Sequence, residues 1–168
     1  PLKISEIVVA LTCAALIRTL IGLVPAVLIA IPLFGISLMD LGLPLLLLLF
    51  SLYLFGITLG LLVTAGLVRF GPSFENIAWA SLFFIAPLGC IYYPVEILPN
   101  WLQVVALALP LAHIFEETRS ILITNTVDYV NIYNALALNL VYLSIALLTF
   151  YRSFKTAKIK GSLINVGE

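Results

Sequence analysis

Apolar positions in this chain form long unbroken stretches. They lack the 3.6-residue or two-residue rhythm of elements that keep one face in water. Residues 6–38 carry no charge beyond Glu6 and Arg18, 43–68 and 129–151 carry none, and 74–92 carry only Glu75. Each stretch reaches the roughly 18 residues that mark a membrane span. The pattern therefore predicts an all-α, polytopic membrane protein with four transmembrane helices, at about 6–38, 43–68, 74–92 and 129–151, in a single transmembrane domain over 1–168. The first is longer than a bilayer needs, and Pro25 or Pro32 is where it is expected to bend. Gly71-Pro72-Ser73 predicts a turn, with Ser73 as the helix N-cap that follows it.

One segment breaks the pattern. Between the third and fourth spans, about 94–125, the chain carries Pro94, Pro99 and Pro110, its only histidine, and a concentration of charge. Residues 101–109 are apolar but too few to cross a bilayer. Pro110 ends that piece, because an interior proline removes a backbone hydrogen bond and clashes with the preceding turn. A second short helix, about 111–123, then carries His113, Glu116, Glu117 and Arg119. Two short helices joined at a proline predict a re-entrant hairpin in the outer leaflet. Irregular backbone at that depth has to be satisfied by protein or by a water-filled cavity, so a gate at the outer mouth is expected there.

Composition agrees with this class and excludes others. The chain is 63% hydrophobic and 10% charged, with mean hydropathy +1.22, where soluble domains run near 45–50% and 25%. Net charge is zero, which leaves no basic footprint for nucleic acid. Cys13 and Cys90 are too few and too far apart for a disulfide framework and read as packing residues. The sequence opens on Pro1 with no signal-like region, and the expectation is a fragment lacking an N-terminal part. No Gly-x-x-x-x-Gly-Lys-Ser/Thr phosphate loop occurs in it.

Charge sets the expected orientation. With the N-terminus in the cytoplasm, Lys3, Arg69, Arg152, Lys155, Lys158 and Lys160 lie inside, along with a cytoplasmic tail at 152–168. Asp40, Glu96, Glu116, Glu117, Arg119 and Asp128 then lie outside, in keeping with the positive-inside bias. Tyr92, Tyr93, Trp101 and Tyr129 fall at the outer headgroup level, and Phe150 and Tyr151 at the inner one.

Several polar residues invite a role. Arg18, inside the first span, costs about 2.5–3.5 kcal/mol at a helix centre, so it either faces a translocation path or snorkels to the interface. His113, Glu116 and Glu117 share a helix face by spacing. They make a poor metal site, because the two-histidine helical motif is absent. Glu116 is expected to pair with Arg119, in the same chain or in a second copy. Asn131 and Asn134 read as solvated, and Asn139 as an interhelical hydrogen-bond donor. Gly56, Gly60 and Gly66 read as packing glycines.

Residues 87–119 resemble the closing segment of ABC-2 type transporter permeases. The shared order is Pro87 with Gly89, Tyr93-Pro94, Leu98-Pro99, Trp101-Leu102, Pro110-Leu111, His113, Glu116 and Arg119. Where the family often has a serine after the first proline, Leu88-Gly89 offers no hydroxyl. The opening 1–6 also resembles the cytoplasmic turn before the family's third span. On that resemblance the four spans are the third to sixth of six. The resemblance implies a permease subunit of an exporter in the plasma (inner) membrane, paired with a second permease copy, identical or related. A separate ABC ATPase would carry the ATP and Mg, with no cofactor on this chain. It also implies that Lys3, Ile4, Ser5 and Glu6 couple to the ATPase. Tyr93, Pro94, Pro99, Trp101, Pro110, His113, Glu116 and Arg119 would form the outer gate. The competing expectations are an ATP-independent channel and an intramembrane enzyme using His113, Glu116 and Glu117.

Overall fold

A computed structural model describes residues 4–34, 42–124 and 126–160. Lys3, the end of the first predicted span and the chain beyond 160 lie outside these residues. Among the described residues all regular structure is helical. The helices are α1 (Ile4–Phe34), α2 (Gly42–Phe70), α3 (Phe74–Leu88), α4 (Asn100–Leu107), α5 (Pro110–Thr124) and α6 (Tyr129–Lys160), with one 3-10 turn at Val95–Ile97. Three helices are long and apolar enough to cross a membrane, over Ser5–Ile29, Gly42–Phe70 and Tyr129–Ile159, while Phe74–Leu88 is shorter. Two compact units are distinguished, Pro1–Leu46 and Leu47–Glu168.

In the first unit, α1 is apolar around its whole circumference, and none of its described side chains is buried. Both Pro25 and Pro32 fall inside it.

The second unit is built on α6. Helix α5 packs along α6 as an antiparallel pair, α4 packs against α5 and the 3-10 turn, and α3 meets α4. On α2 the buried positions are Leu48, Ser51, Phe55, Thr58, Leu61, Ala65 and Gly66. Ile132, Ala135, Asn139, Ala146, Phe150, Ser153 and Ala157 line α6 in the same way. Apart from the adjacent Ala65 and Gly66, steps of three and four residues, or of seven where two steps merge, keep each stripe on one helix face. Small residues on that face allow close approach without a hydrophobic driving force in lipid.

Helix ends follow local chemistry. Gly71 adopts φ +80° and its N–H donates to Leu67 O at 2.9 Å, the left-handed termination that glycine makes inexpensive. Ser73 does not act as the expected side-chain cap. Its backbone is already helical and its hydroxyl makes no capping bond, whereas an N-cap needs extended backbone to aim its oxygen at the first free N–H groups. The Glu75 and Phe74 amides are taken instead by the Pro72 and Gly71 carbonyls. Phe74 lies over Gly66, filling the space a side chain there would need. Among the described residues nothing lies within 4 Å of a Cβ added at Gly56 or Gly60.

Candidate functional site

The chain between α3 and α4 leaves helical geometry after Leu88. The Gly89 and Cys90 amides close the last turn on Ile85 O (2.8 Å) and Pro87 O (3.1 Å). Cys90 then takes φ 54°, a left-handed conformation that non-glycine residues rarely adopt, and it is fully buried. Gly89 is a close-approach position, because a Cβ there would stand 2.8 Å from Leu111 Cβ at the start of α5. The smallness of residue 89 is thus explained by α5, not by the lack of a hydroxyl.

Where the chain leaves regular helix at buried positions, as at Cys90 and Val95, its backbone groups must find partners elsewhere. Here α5 supplies them. Glu116 Oε1 accepts from Val95 N–H at 2.7 Å and from Arg119 Nη1 at 2.7 Å. Arg119 Nη2 donates to Cys90 O at 3.1 Å. The Tyr93 hydroxyl donates to Pro87 O at 2.9 Å. The expected Glu116–Arg119 pair therefore forms within one chain, with both side chains about one quarter exposed (28% and 24%). Its function in this geometry is to hold the 90–95 backbone, since charge-assisted bonds are the stronger ones.

A second network ties α5 to the start of α6. Glu117 is fully buried. Its carboxylate accepts from Asp128 N–H at 2.7 Å and from Asn131 Nδ2 at 3.3 Å. Asn131 Oδ1 faces His113 Nδ1 at 3.4 Å. His113 Nε2 is 2.9 Å from Leu107 O, and since a carbonyl can only accept, Nε2 carries a proton. Asn131 is therefore a network member rather than a solvated surface residue, while Asn134 is exposed as expected. Adjacent carboxylates on one helix serve two different partners. Glu116 reaches back along the chain and Glu117 reaches forward.

The prolines frame these networks. Pro94 and Pro99 are extended and sit immediately before the 3-10 turn and α4. Pro99 O accepts from the Leu102 and Gln103 amides (2.8 and 3.0 Å). Pro110 opens α5, the position where its missing N–H costs nothing. Trp101 is exposed on α4. Deeper in the unit, Asn139 Nδ2 donates to Ser51 O (2.9 Å) and Oγ (2.7 Å), joining α6 to α2 as the sequence suggested. Among the described residues its Oδ1 has no partner.

The remaining predicted site residues that are described belong to the first unit. Ile4 begins α1, and Ser5 and Glu6 are exposed in its first turn. Arg18 is exposed on α1. Among the described residues no group of three His, Cys, Asp or Glu side chains is arranged to hold a metal. His113 and Glu117 meet at Asn131 while Glu116 serves Val95 and Arg119, so the three side chains are spent on structural bonds in two networks. The roles of the Val95 and Asp128 amides escaped the sequence, because backbone donors leave no residue-type signature.

No curated protein and no solved structure matches the chain. Residues 1–123 match the ABC-2 type transporter family. That match covers the greater part of the chain, including α1 to α4 and nearly all of α5, and with its apolar helices this multi-pass membrane protein belongs to the ABC-2 type transporter family.

Proposed function

We propose that this chain forms part of the permease of an ATP-driven exporter, working as one transmembrane domain whose outer hairpin is a lid. The family match over residues 1–123 supports the permease, and the observation that carries the lid is the Tyr142 hydroxyl, which donates to Ala108 O at the α4–α5 junction (3.2 Å). Tyr142 lies thirteen residues into α6, about 19 Å along the helix at 1.5 Å per residue. Tyrosine side chains lean back toward the helix start, so the junction lies roughly 13–19 Å below the outer end, well inside a core of about 30 Å. The contact of Gly89 with Leu111, the second residue of α5, brings the end of α3 to that level as well.

This supports a fourth crossing of composite construction. Helix α3, fifteen residues or about 22 Å, carries the chain part of the way. The non-helical 89–94 segment completes the passage. Water is absent at that depth and each unsatisfied backbone group is costly, which accounts for the Glu116–Arg119 bonds. The lid is then a stapled body, joined to α6 through Glu117 and Asn131.

In this reading the N- and C-terminal ends face the cytoplasm of a plasma (inner) membrane protein. Lys3, Ile4, Ser5 and Glu6 contact an ABC ATPase that holds ATP and Mg. Arg18 faces a path shared with a second permease copy, identical or related. Tyr93, Pro94, Pro99, Trp101, Pro110, His113, Glu116 and Arg119 build the outer gate. The test is a mild-detergent purification of the tagged full-length protein from its host, with co-purifying subunits identified by mass. A stoichiometric P-loop ATPase, lost when residues 3–6 become a Gly-Ser stretch, is the expected result. A clean preparation without ATPase at matched expression overturns the exporter reading.

A further inference from the structure

Helix α6 is 32 residues long, about 48 Å at 1.5 Å per residue. A hydrocarbon core of about 30 Å accounts for only some 20 of them. With Tyr129 at one boundary, the other falls near residue 149, and the last three turns extend beyond it.

The two faces of α6 change character differently along its length. The buried stripe runs through Ala146, Phe150, Ser153 and Ala157 without a break, so the packed face continues past the bilayer. The opposite face is apolar and exposed at Val130, Tyr133, Val141 and Leu148, as a lipid-facing surface should be. After the exposed Tyr151 that same face presents Arg152, Lys155 and Lys158, all exposed. At about 100° per residue these three fall within a sector of roughly 120°, turned away from the buried stripe. They form no ion pair among the described residues, and α6 contains no acidic residue.

From this switch we infer that the Arg152–Lys155–Lys158 face is a binding surface for the headgroups of anionic lipids. The side chains project from the lipid-facing side of the helix, within about two and a half turns of the hydrocarbon edge. The molecules nearest that face are therefore the lipids whose tails lie against Val141 and Leu148. A phosphate carrying uncompensated negative charge is the complementary ligand at this depth. Each basic side chain near such a surface favours it by about fivefold. Long basic stems beside apolar surface let the charged heads reach the phosphate layer. The inference needs only that α6 crosses a membrane. It depends neither on ATP coupling nor on which end faces the cytoplasm.

The test uses the full-length protein in phosphatidylcholine nanodiscs containing trace spin-labelled phosphatidylglycerol or spin-labelled phosphatidylcholine. The motionally restricted fraction of each label is read by electron spin resonance. The wild-type protein should restrict phosphatidylglycerol about fivefold or more over phosphatidylcholine, with the preference collapsing in high salt as screening shortens the range of the charges. The triple variant R152Q/K155Q/K158Q should show no preference, while Arg152→Lys should retain it. If the triple variant does not fold, Lys155→Gln and Lys158→Gln singly should each lower the preference severalfold. An unchanged preference in the variants, or none in the wild type, overturns the inference. So does a variant that keeps lipid preference but loses a co-purifying protein, which would assign the face to a protein partner.

Discussion

Helices α1 and α5 solve the membrane problem in opposite ways. Helix α1 keeps one continuous helix, losing only the ladder bonds that Pro25 and Pro32 cannot make, and leaves none of its described side chains buried. Helix α5 buries Leu111, Ala112, His113, Ile114, Glu117 and Ile121, and lends two carboxylates and a guanidinium to backbone that is not its own. A continuous helix is self-sufficient in lipid, whereas an interrupted crossing must borrow hydrogen bonds from a neighbour. Polar residues in this protein are therefore concentrated where regular structure fails, which is also where a moving lid would be built.

The contrast makes α5 the fragile region. Glu117→Ala should have the largest effect, removing the acceptor for the Asp128 amide and Asn131, at about 1–3 kcal/mol for each donor left buried. Glu117→Gln, which keeps one acceptor oxygen, should lose clearly less in thermal unfolding in detergent. Gly89→Ala should follow, costing about 1–3 kcal/mol because the new methyl meets Leu111. Unfolding of Gly89→Ala indistinguishable from wild type would count against the close approach. Asn139→Ala should cost less, about 0.6–1.7 kcal/mol, read by the same unfolding assay. Gly60→Ala should be smallest, within about 0.5 kcal/mol, because its Cβ enters open space. If it instead lowers the oligomer fraction on cross-linking, the Gly56–Gly60 face contacts a second copy.

Much of the architecture was legible from apolar run length. The second predicted span, 43–68, lies within two residues of α2 at each end, and the two short hairpin helices meet at Pro110 as its chemistry requires. Two helix ends were not legible. Hydropathy marks the bilayer edge rather than the end of a helix, so the predicted 129–151 stops short of Lys160, there being no glycine or proline after Tyr151 to stop the helix before then. The third span was expected to reach 92, but the helix ends at Leu88, where Pro87 and the left-handed Cys90 turn the chain while its apolar composition continues. At the site, the Glu116–Arg119 pairing followed from one-turn spacing. The division of labour between Glu116 and Glu117 did not, because their partners are amides 21 and 11 residues away.

The central claim is that adjacent carboxylates pin two separate backbone points. Residue-resolved amide hydrogen exchange at Val95 and Asp128, on the full-length protein in nanodiscs, tests it directly. Both amides should be protected in the wild type. Glu116→Ala should release Val95 and leave Asp128 protected, and Glu117→Ala should do the reverse. Fast exchange of both amides in the wild type, or joint release in either variant, would contradict the account.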